Sequence, residues 1–282
     1  MKKSAIVCAL AVLALPAFAA CSNKDKKEKV AAPLPSEEIV TPLLPEEQSP
    51  SIEEEPALPP VEEEPTEEVV KKPATAQYLK ITTNNLNVRK GAGTGYASLG
   101  TVEKNILMQY AGKSGDWYET RYMNQTAFVH SAYAQIVTLE KASDEVEKII
   151  EEGLKVLGTP YVYGATRLHD GKGNLLKGFS EKKFDCSSLM QFIFYRGAGV
   201  LLNMNTRTQV SQGKAVTGEL KRGDLMFFTN ASRKNNTGLE RVGHVALYLG
   251  DNYILHTASD YAKIEQISST RWGYYLSARR ML

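Results

Sequence analysis

Chemistry in this chain concentrates at Phe184-Asp185-Cys186-Ser187-Ser188-Leu189-Met190-Gln191-Phe192, where a polar turn carrying a cysteine runs into an apolar segment. Leu189, Met190, Phe192 and Ile193 recur at three-to-four-residue spacing, which predicts a helix with one face on a core. Cys186 then falls in the first turn. Asp185 can cap the free amides there, and those amides together with the positive end of the helix dipole favour S⁻ over SH, so a lowered thiol pKa is expected. A free cysteine also serves well as a small buried hydrophobe, and this stretch alone does not separate the two readings.

A base comes from further along. Gly243-His244-Val245-Ala246-Leu247-Tyr248-Leu249-Gly250-Asp251-Asn252-Tyr253-Ile254-Leu255-His256 has apolar runs on both sides of Gly250-Asp251-Asn252 and predicts a β-hairpin. With the turn centred near Gly250, His244 and His256 are equidistant from it and face each other. Cross-strand Cβ atoms lie ~5 Å apart, near enough for one imidazole to orient the other. A cysteine nucleophile needs a base that takes its proton and returns it to the leaving amine, and the base needs a polar partner to fix its tautomer. Cys186, His244 and His256 suit those roles in that order. Two histidines and a cysteine are also metal-ligand types, but the chain lacks short ligand spacings such as CxxC or HExxH, so neither metal nor other cofactor is expected.

The elements around these residues follow from patterning. Ser143 can cap a helix whose stripe is Val146, Ile149, Ile150 and Leu154, ending near Gly158. Thr159-Pro160-Tyr161-Val162-Tyr163-Gly164 follows, and then a polar loop from Thr166 to Lys183 in which His169 and Asp170 read as solvated residues. Leu220-Lys221-Arg222-Gly223-Asp224-Leu225-Met226-Phe227-Phe228 is a turn feeding a strand.

Of 12 prolines in 282 residues, ten lie between Pro33 and Pro73. That region is Glu-rich and free of aromatic residues, so residues 22–76 are expected to be a disordered linker. About 50 residues at ~3.1 Å each would reach at most ~150 Å. Residues 1–21 read as an export signal: Lys2 and Lys3, an apolar run from Ile6 to Leu15 too short to span a bilayer, and the small-residue site Ala17-Phe18-Ala19-Ala20-Cys21. Ala19-Ala20-Cys21 resembles a bacterial lipobox, with Phe18 where Leu, Val or Ile is usual. Lipidation of Cys21 and anchoring to a membrane is the reading adopted, with plain cleavage after Ala19 as the alternative. Cys186 has no intramolecular partner left, which excludes a disulfide framework. Residues 24–73 hold 14 acidic and 6 basic residues, whereas 74–282 hold 26 basic and 18 acidic. A basic folded part favours anionic partners such as a carboxylate-bearing wall polymer, and export argues against nucleic acid. A monomer is expected.

Residues 77–138 carry short β-rich runs: Tyr78 to Thr82, Leu86 to Arg89, Leu99 to Val102, Ile106 to Tyr110, Trp117 to Tyr122 and Ala127 to His130. Turns are expected at Gly91 to Gly95, Lys113 to Asp116 and Asn124-Gln125. This is the pattern of a small β-barrel. Leu86-Asn87-Val88-Arg89-Lys90-Gly91-Ala92-Gly93-Thr94, Gly115-Asp116-Trp117-Tyr118 and Phe128-Val129-His130-Ser131 resemble a bacterial SH3 domain. Trp117, Tyr118 and Tyr122 suit either a ligand groove or barrel core, the latter preferred, and His130 reads as structural.

Residues 143–282 are expected to form the second folded domain, and about 150–282 carry a second resemblance. Pro160-Tyr161-Val162-Tyr163-Gly164, Phe184-Asp185-Cys186-Ser187-Ser188, Arg222-Gly223-Asp224-Leu225-Met226-Phe227-Phe228, Gly243-His244-Val245-Ala246-Leu247-Tyr248-Leu249-Gly250 and Leu255-His256-Thr257-Ala258-Ser259 are similar to the successive motifs of the NlpC/p60 family of cell-wall cysteine peptidases. The resemblance implies an α+β, papain-like domain with the cysteine helix packed on an antiparallel sheet. It implies hydrolysis of peptidoglycan stem peptides at the D-γ-glutamyl to diamino acid bond. It makes Cys186 the nucleophile, His244 the base and His256 the orienting residue, with Tyr161, Tyr163, Asp185 and Ser187 as substrate or oxyanion support and the Cys186 amide as an oxyanion donor.

The departures from the family pattern are specific. Ser188 stands where glycine is usual, Ala165 replaces a second glycine, and Tyr163 stands where tryptophan is common. Asn205, in Leu202-Asn203-Met204-Asn205-Thr206, cannot supply the carboxylate that pairs with a free amine in members acting on freed peptides, which favours wall-attached stems. An inert wall-binding lipoprotein and a papain-like amidase or acyl transferase remain open as other classes.

Overall fold

The computed structural model describes residues 73–282. The expected export signal, the Cys21 lipidation site and nearly all of the Pro/Glu-rich linker lie outside the described residues. The strands are β1 (Thr75–Ile81), β2 (Leu86–Arg89), β3 (Ser98–Val102), β4 (Leu107–Gln109), β5 (Gly112–Ser114), β6 (Trp117–Tyr122), β7 (Gln125–His130), β8 (Ala134–Glu140), β9 (Lys214–Ala215), β10 (Leu225–Phe228), β11 (His244–Gly250), β12 (Tyr253–Thr257), β13 (Ala262–Gln266) and β14 (Tyr275–Arg280). The helices are α1 (Asp144–Lys155), α2 (Cys186–Ala198), α3 (Thr206–Gln209) and α4 (Ser269–Trp272).

Two antiparallel sheets organise these elements. Five strands run β3-β2-β7-β6-β5, and nine run β8-β1-β4-β13-β12-β11-β10-β14-β9. The larger sheet crosses from the SH3-like region into the cysteine-bearing region at one pair, Leu107 with Ile264. Strand alternation makes this possible, because successive residues point to opposite faces. Tyr78 and Leu107 enter the core that holds α1 and α2, whereas their chain neighbours Leu79 and Met108 enter the barrel core with Val88, Tyr122 and Val129.

The barrel departs from expectation at its turns. Met123 and Asn124, at φ 53° and 60°, form the β6–β7 turn, one residue earlier than Asn124-Gln125. Both central residues have positive φ, the condition for a two-residue turn that follows the strand twist. Lys113 and Ser114 extend into β5, leaving the turn to Gly115 and Asp116. The β6–β7 turn docks on the end of α1 through Met123 N–H to Leu157 O (2.7 Å) and Asn124 N–H to Lys155 O (2.7 Å). Tyr122 is barrel core. Its ring lies over Gly158, where a Cβ would come within 2.2 Å of it.

Ser143 caps α1, and Val146, Ile149, Ile150 and Leu154 are its buried stripe. The stripe packs against α2 so closely that a Cβ at Gly197 would stand 2.5 Å from the Ile149 backbone. Helix α2 is not one-sided as its spacing suggests: every residue from Cys186 to Phe194 is buried. The preceding loop covers the face left free by α1 and the sheet, with Phe179 stacked on Phe192 at 5.8 Å and Phe184 tilted against it at 5.2 Å. Gly199, at φ 67°, ends the helix in a left-handed cap.

The β11–β12 hairpin turns on Asp251 and Asn252, at φ 45° and 64°, not on Gly250. A bulge near Gly250 then sets Leu247 opposite Leu255 and Tyr248 opposite Ile254. This register makes His244 and His256 diagonal neighbours on one face instead of the directly opposed pair expected from a turn at Gly250.

Candidate functional site

The start of α2 is fixed by a reciprocal cap. Asp185 Oδ1 accepts from Ser188 N–H at 2.8 Å, while Ser188 Oγ accepts from Asp185 N–H at 2.8 Å. Ser188, the departure from glycine, supplies half of this box, which a glycine could not. Asp185 Oδ2 accepts from Gly164 N–H at 3.1 Å and pairs with Arg167 Nη2 at 2.9 Å, so one carboxylate ties the tyrosine-bearing turn to the helix. Arg167 Nη2 also donates to Ser187 Oγ at 2.8 Å.

Cys186 is 9% exposed. Burial, and after it the Asp185 carboxylate, push its thiol up to about 11. Backbone amides of Val245 and Ser187 and the Arg167 charge pull the other way, but burial outweighs them. The lowered pKa expected from the helix start is therefore reversed, because the same core that orders α2 also removes water from the sulfur.

His244 and His256 are both buried, with ring centroids 5.1 Å apart and planes inclined at 83°. His244 Nε2 and His256 Nδ1 share a hydrogen bond of 3.1 Å. His256 Nε2 meets Glu265 Oε1 at 3.0 Å, and that oxygen also accepts from Arg271 Nη2 at 2.9 Å. Burial pulls the His244 pKa well below its ordinary value, helped by His256 and Arg271. Burial also lowers His256, against the opposing hydrogen bond to Glu265. Both rings are neutral at pH 7. Glu265 did not emerge from the sequence. The signal available was alternation on β13, which puts Lys263 and Glu265 on one face, Lys263 opposite His256.

Cys186 and Tyr161 stand between two cavities. One, of about 330 Å³, is also lined by His244, Phe228, Arg271 and Tyr274. The other, of about 230 Å³, is lined by Tyr163, Arg167, Asn205, Arg207 and Arg233 as well as by Asp185 and Ser187. All seven expected site residues of the folded part thus come together except His256, which lies directly behind His244. Tyr163 is 83% exposed at the rim. Burial raises the Tyr161 phenol, with smaller contributions from Cys186 and Asp185. A larger cavity, of about 790 Å³, lies at Arg222, Asp224 and Arg280 and contains none of these residues.

Two other histidines are structural. His130 Nδ1 accepts from Ala132 N–H at 3.2 Å and caps a short 3₁₀ turn. His169 is fully buried, a correction to its reading as a solvated loop residue. It packs on Tyr195 at 5.1 Å, and its Nδ1 accepts from Gly171 N–H. Asp170 holds the loop by accepting from Lys172 N–H and Asn174. Among the described residues no group of three or more His, Cys, Asp or Glu side chains is placed to hold a metal ion.

An α+β domain in which a helix-start cysteine shares a cleft with one of two hydrogen-bonded histidines on an antiparallel sheet is the class that this geometry defines. Residues 158–281 match the model of the NlpC/P60 family, and residues 84–135 that of the bacterial SH3 domain. The chain thus carries a region that matches the NlpC/P60 family model, with a region that matches the bacterial SH3 model on its N-terminal side. It is similar to Gamma-D-glutamyl-L-lysine dipeptidyl-peptidase of Bacillus subtilis, 27% identical over 68% of this chain and 60% of the relative. The protein of that name from Bacillus cereus is 32% identical over 48% of this chain and 36% of the relative. Gamma-DL-glutamyl hydrolase of Bacillus subtilis is 26% identical over 64% of this chain and 37% of the relative. The chain thus spans less than two thirds of the length of each. A crystal structure of an NlpC/P60 family protein from Bacillus cereus aligns with 73% of this chain and 64% of its own, at 22% identity and a TM-score of 0.40.

Proposed function

We propose that this protein is a cysteine peptidase that hydrolyses peptidoglycan stem peptides at the bond between D-γ-glutamate and the diamino acid. The observation that carries the proposal is the hydrogen-bonded His244–His256 pair lining, through His244, the cleft of the one free cysteine among the described residues. The names of two relatives, which specify a γ-D-glutamyl-L-lysine bond, support the choice of bond.

With the thiol up at about 11 and both imidazoles neutral, the resting pair is SH and imidazole. Proton transfer then accompanies attack. His244 takes the Cys186 proton as sulfur adds to the scissile carbonyl, and the oxyanion forms beside the Cys186 amide at the helix start. The imidazolium, steadied by His256, protonates the amine as the C–N bond breaks. His244 next removes a proton from water, which attacks the thioester and releases the new carboxylate and the thiol.

Asn205 bears on which stems are taken. Its side chain accepts from the Arg207 and Thr208 amides and caps α3, so this wall of the cavity offers arginines and no unpaired carboxylate to a substrate amine. Stems still attached to the wall are the proposed substrate, and the cell envelope, reached through the leader and a lipid anchor at Cys21, is the proposed location. Turnover of intact sacculi compared with a free tripeptide tests this. Faster cleavage of sacculi supports the reading, and a strong preference for the free tripeptide overturns it.

A further inference from the structure

We propose that Glu265 is a positioning residue that decides which nitrogen of His244 is free to take the Cys186 proton. The inference rests on the proposed cysteine-peptidase function and names a fourth group in it. Glu265 touches no substrate cavity that Cys186 lines; it acts through His256.

The order of protons follows from what each group can donate. Lys263 Nζ stands 3.5 Å from Glu265 Oε2, and Arg271 Nη2 2.9 Å from Oε1. Glu265 is held below the ordinary carboxylate range: burial opposes its charge, but His256, Lys263 and Arg271 outweigh burial. An ionised carboxylate accepts only, so His256 must present Nε2–H to it. A neutral His256 then has a bare Nδ1, which accepts from His244 Nε2–H across the 3.1 Å contact. His244 is left with a bare Nδ1, and that nitrogen has no hydrogen-bond partner among the described residues. The opposite order would set two lone pairs against each other between His256 Nε2 and Glu265 Oε1, 3.0 Å apart. It would also put a proton on the nitrogen of His244 that has to receive one.

Polar and charged groups lie around Glu265 on the elements packed against it. His256 comes from β12, Lys263 from β13 itself and Arg271 from α4, while Glu103 and Lys104, on the turn before β4, line the cavity of about 320 Å³ outside it. Three groups, His256, Lys263 and Arg271, thus hold the carboxylate, which suits a fixed acceptor better than a surface ion pair. Its side chain is 26% exposed against 0% for His256.

The test compares the full chain with Glu265→Met and Glu265→Gln, reading imidazole tautomers by ¹⁵N NMR and turnover on sacculi. In the unaltered protein both histidines are expected as Nε2–H. Glu265→Met removes the acceptor and should mix the tautomers and lower kcat at least about tenfold with little change in KM. Glu265→Gln keeps a carbonyl oxygen that can accept, and should retain more activity than Met in a protein of the same shape. An Nδ1–H His256 in the unaltered protein overturns the proposal, as does Glu265→Met with unchanged tautomers and kcat within twofold. If sacculi are not cleaved by the unaltered chain but the tautomers mix in Glu265→Met, the peptidase reading fails and the assignment of proton order to Glu265 stands.

Discussion

Leu107 of β4 pairs with Ile264 of β13, and through that single pair an SH3 strand extends the sheet on which His244 and His256 lie. Both side chains are fully buried in the core that also holds α1 and α2. The SH3 region therefore shares a sheet and a core with the region that carries the site.

Replacing Leu107 by Ala should destabilise the folded protein by about 2–5 kcal/mol, the cost of a large-to-small change in a packed core. Urea unfolding followed by far-UV circular dichroism measures it. A single cooperative transition that moves to lower urea supports the joint, whereas a change well under 1 kcal/mol would show that the two regions are not one core.

Arg222 is the second link. It donates from Nε to Glu147 Oε1 at 2.7 Å, from Nη2 to Tyr78 Oη at 2.7 Å and from Nη1 to Leu249 O at 2.7 Å. Arg222→Ala strands those partners and should cost about 3–5 kcal/mol in the same unfolding experiment. Burial raises the Glu147 carboxyl, but hydrogen bonds from Arg222 and Ala142 bring it below its ordinary 4.5. A depressed carboxylate stabilises the fold fully above pH 4.5 and loses that contribution as pH falls through the lowered value. The acid loss of stability between pH 4.5 and lower values should therefore be shallower in Arg222→Ala. An unchanged slope would mean that the pair does not titrate with folding.

The thiol pushed up to about 11 sets a reactivity profile. Iodoacetamide should label Cys186 slowly at pH 7, with a rate that climbs towards pH 11. His244→Ala should lower peptidase turnover by about 10²- to 10⁴-fold, the usual share of a general base, yet leave neutral-pH labelling nearly unchanged. Fast labelling at pH 7 that is lost in His244→Ala would instead reveal a resting thiolate–imidazolium pair.

Local patterns made much of this structure legible. The α1 stripe, the α2 start with its Asp185 cap, and the hairpin bearing both histidines follow from spacing and turn chemistry over a few residues. What stayed hidden depends on tertiary surroundings. The hairpin register turned on whether Gly250 or Asp251-Asn252 made the turn, and a bulge is not visible in alternation. Burial of His169 and the raised thiol of Cys186 come from chain segments that cover them. Glu265 lay in an ordinary alternating strand, and only its placement behind His256 marks it. The shared core was invisible because Tyr78 and Leu107 each alternate with a neighbour that serves the barrel.

The most direct test of the account is mass analysis of soluble products released from purified sacculi by the protein, beside a Cys186→Ala control. Stem fragments ending at D-Glu, released by the unaltered protein and absent with Cys186→Ala, are the predicted result. No release, with the protein sedimenting on the sacculi, or equal release by both proteins, would contradict it.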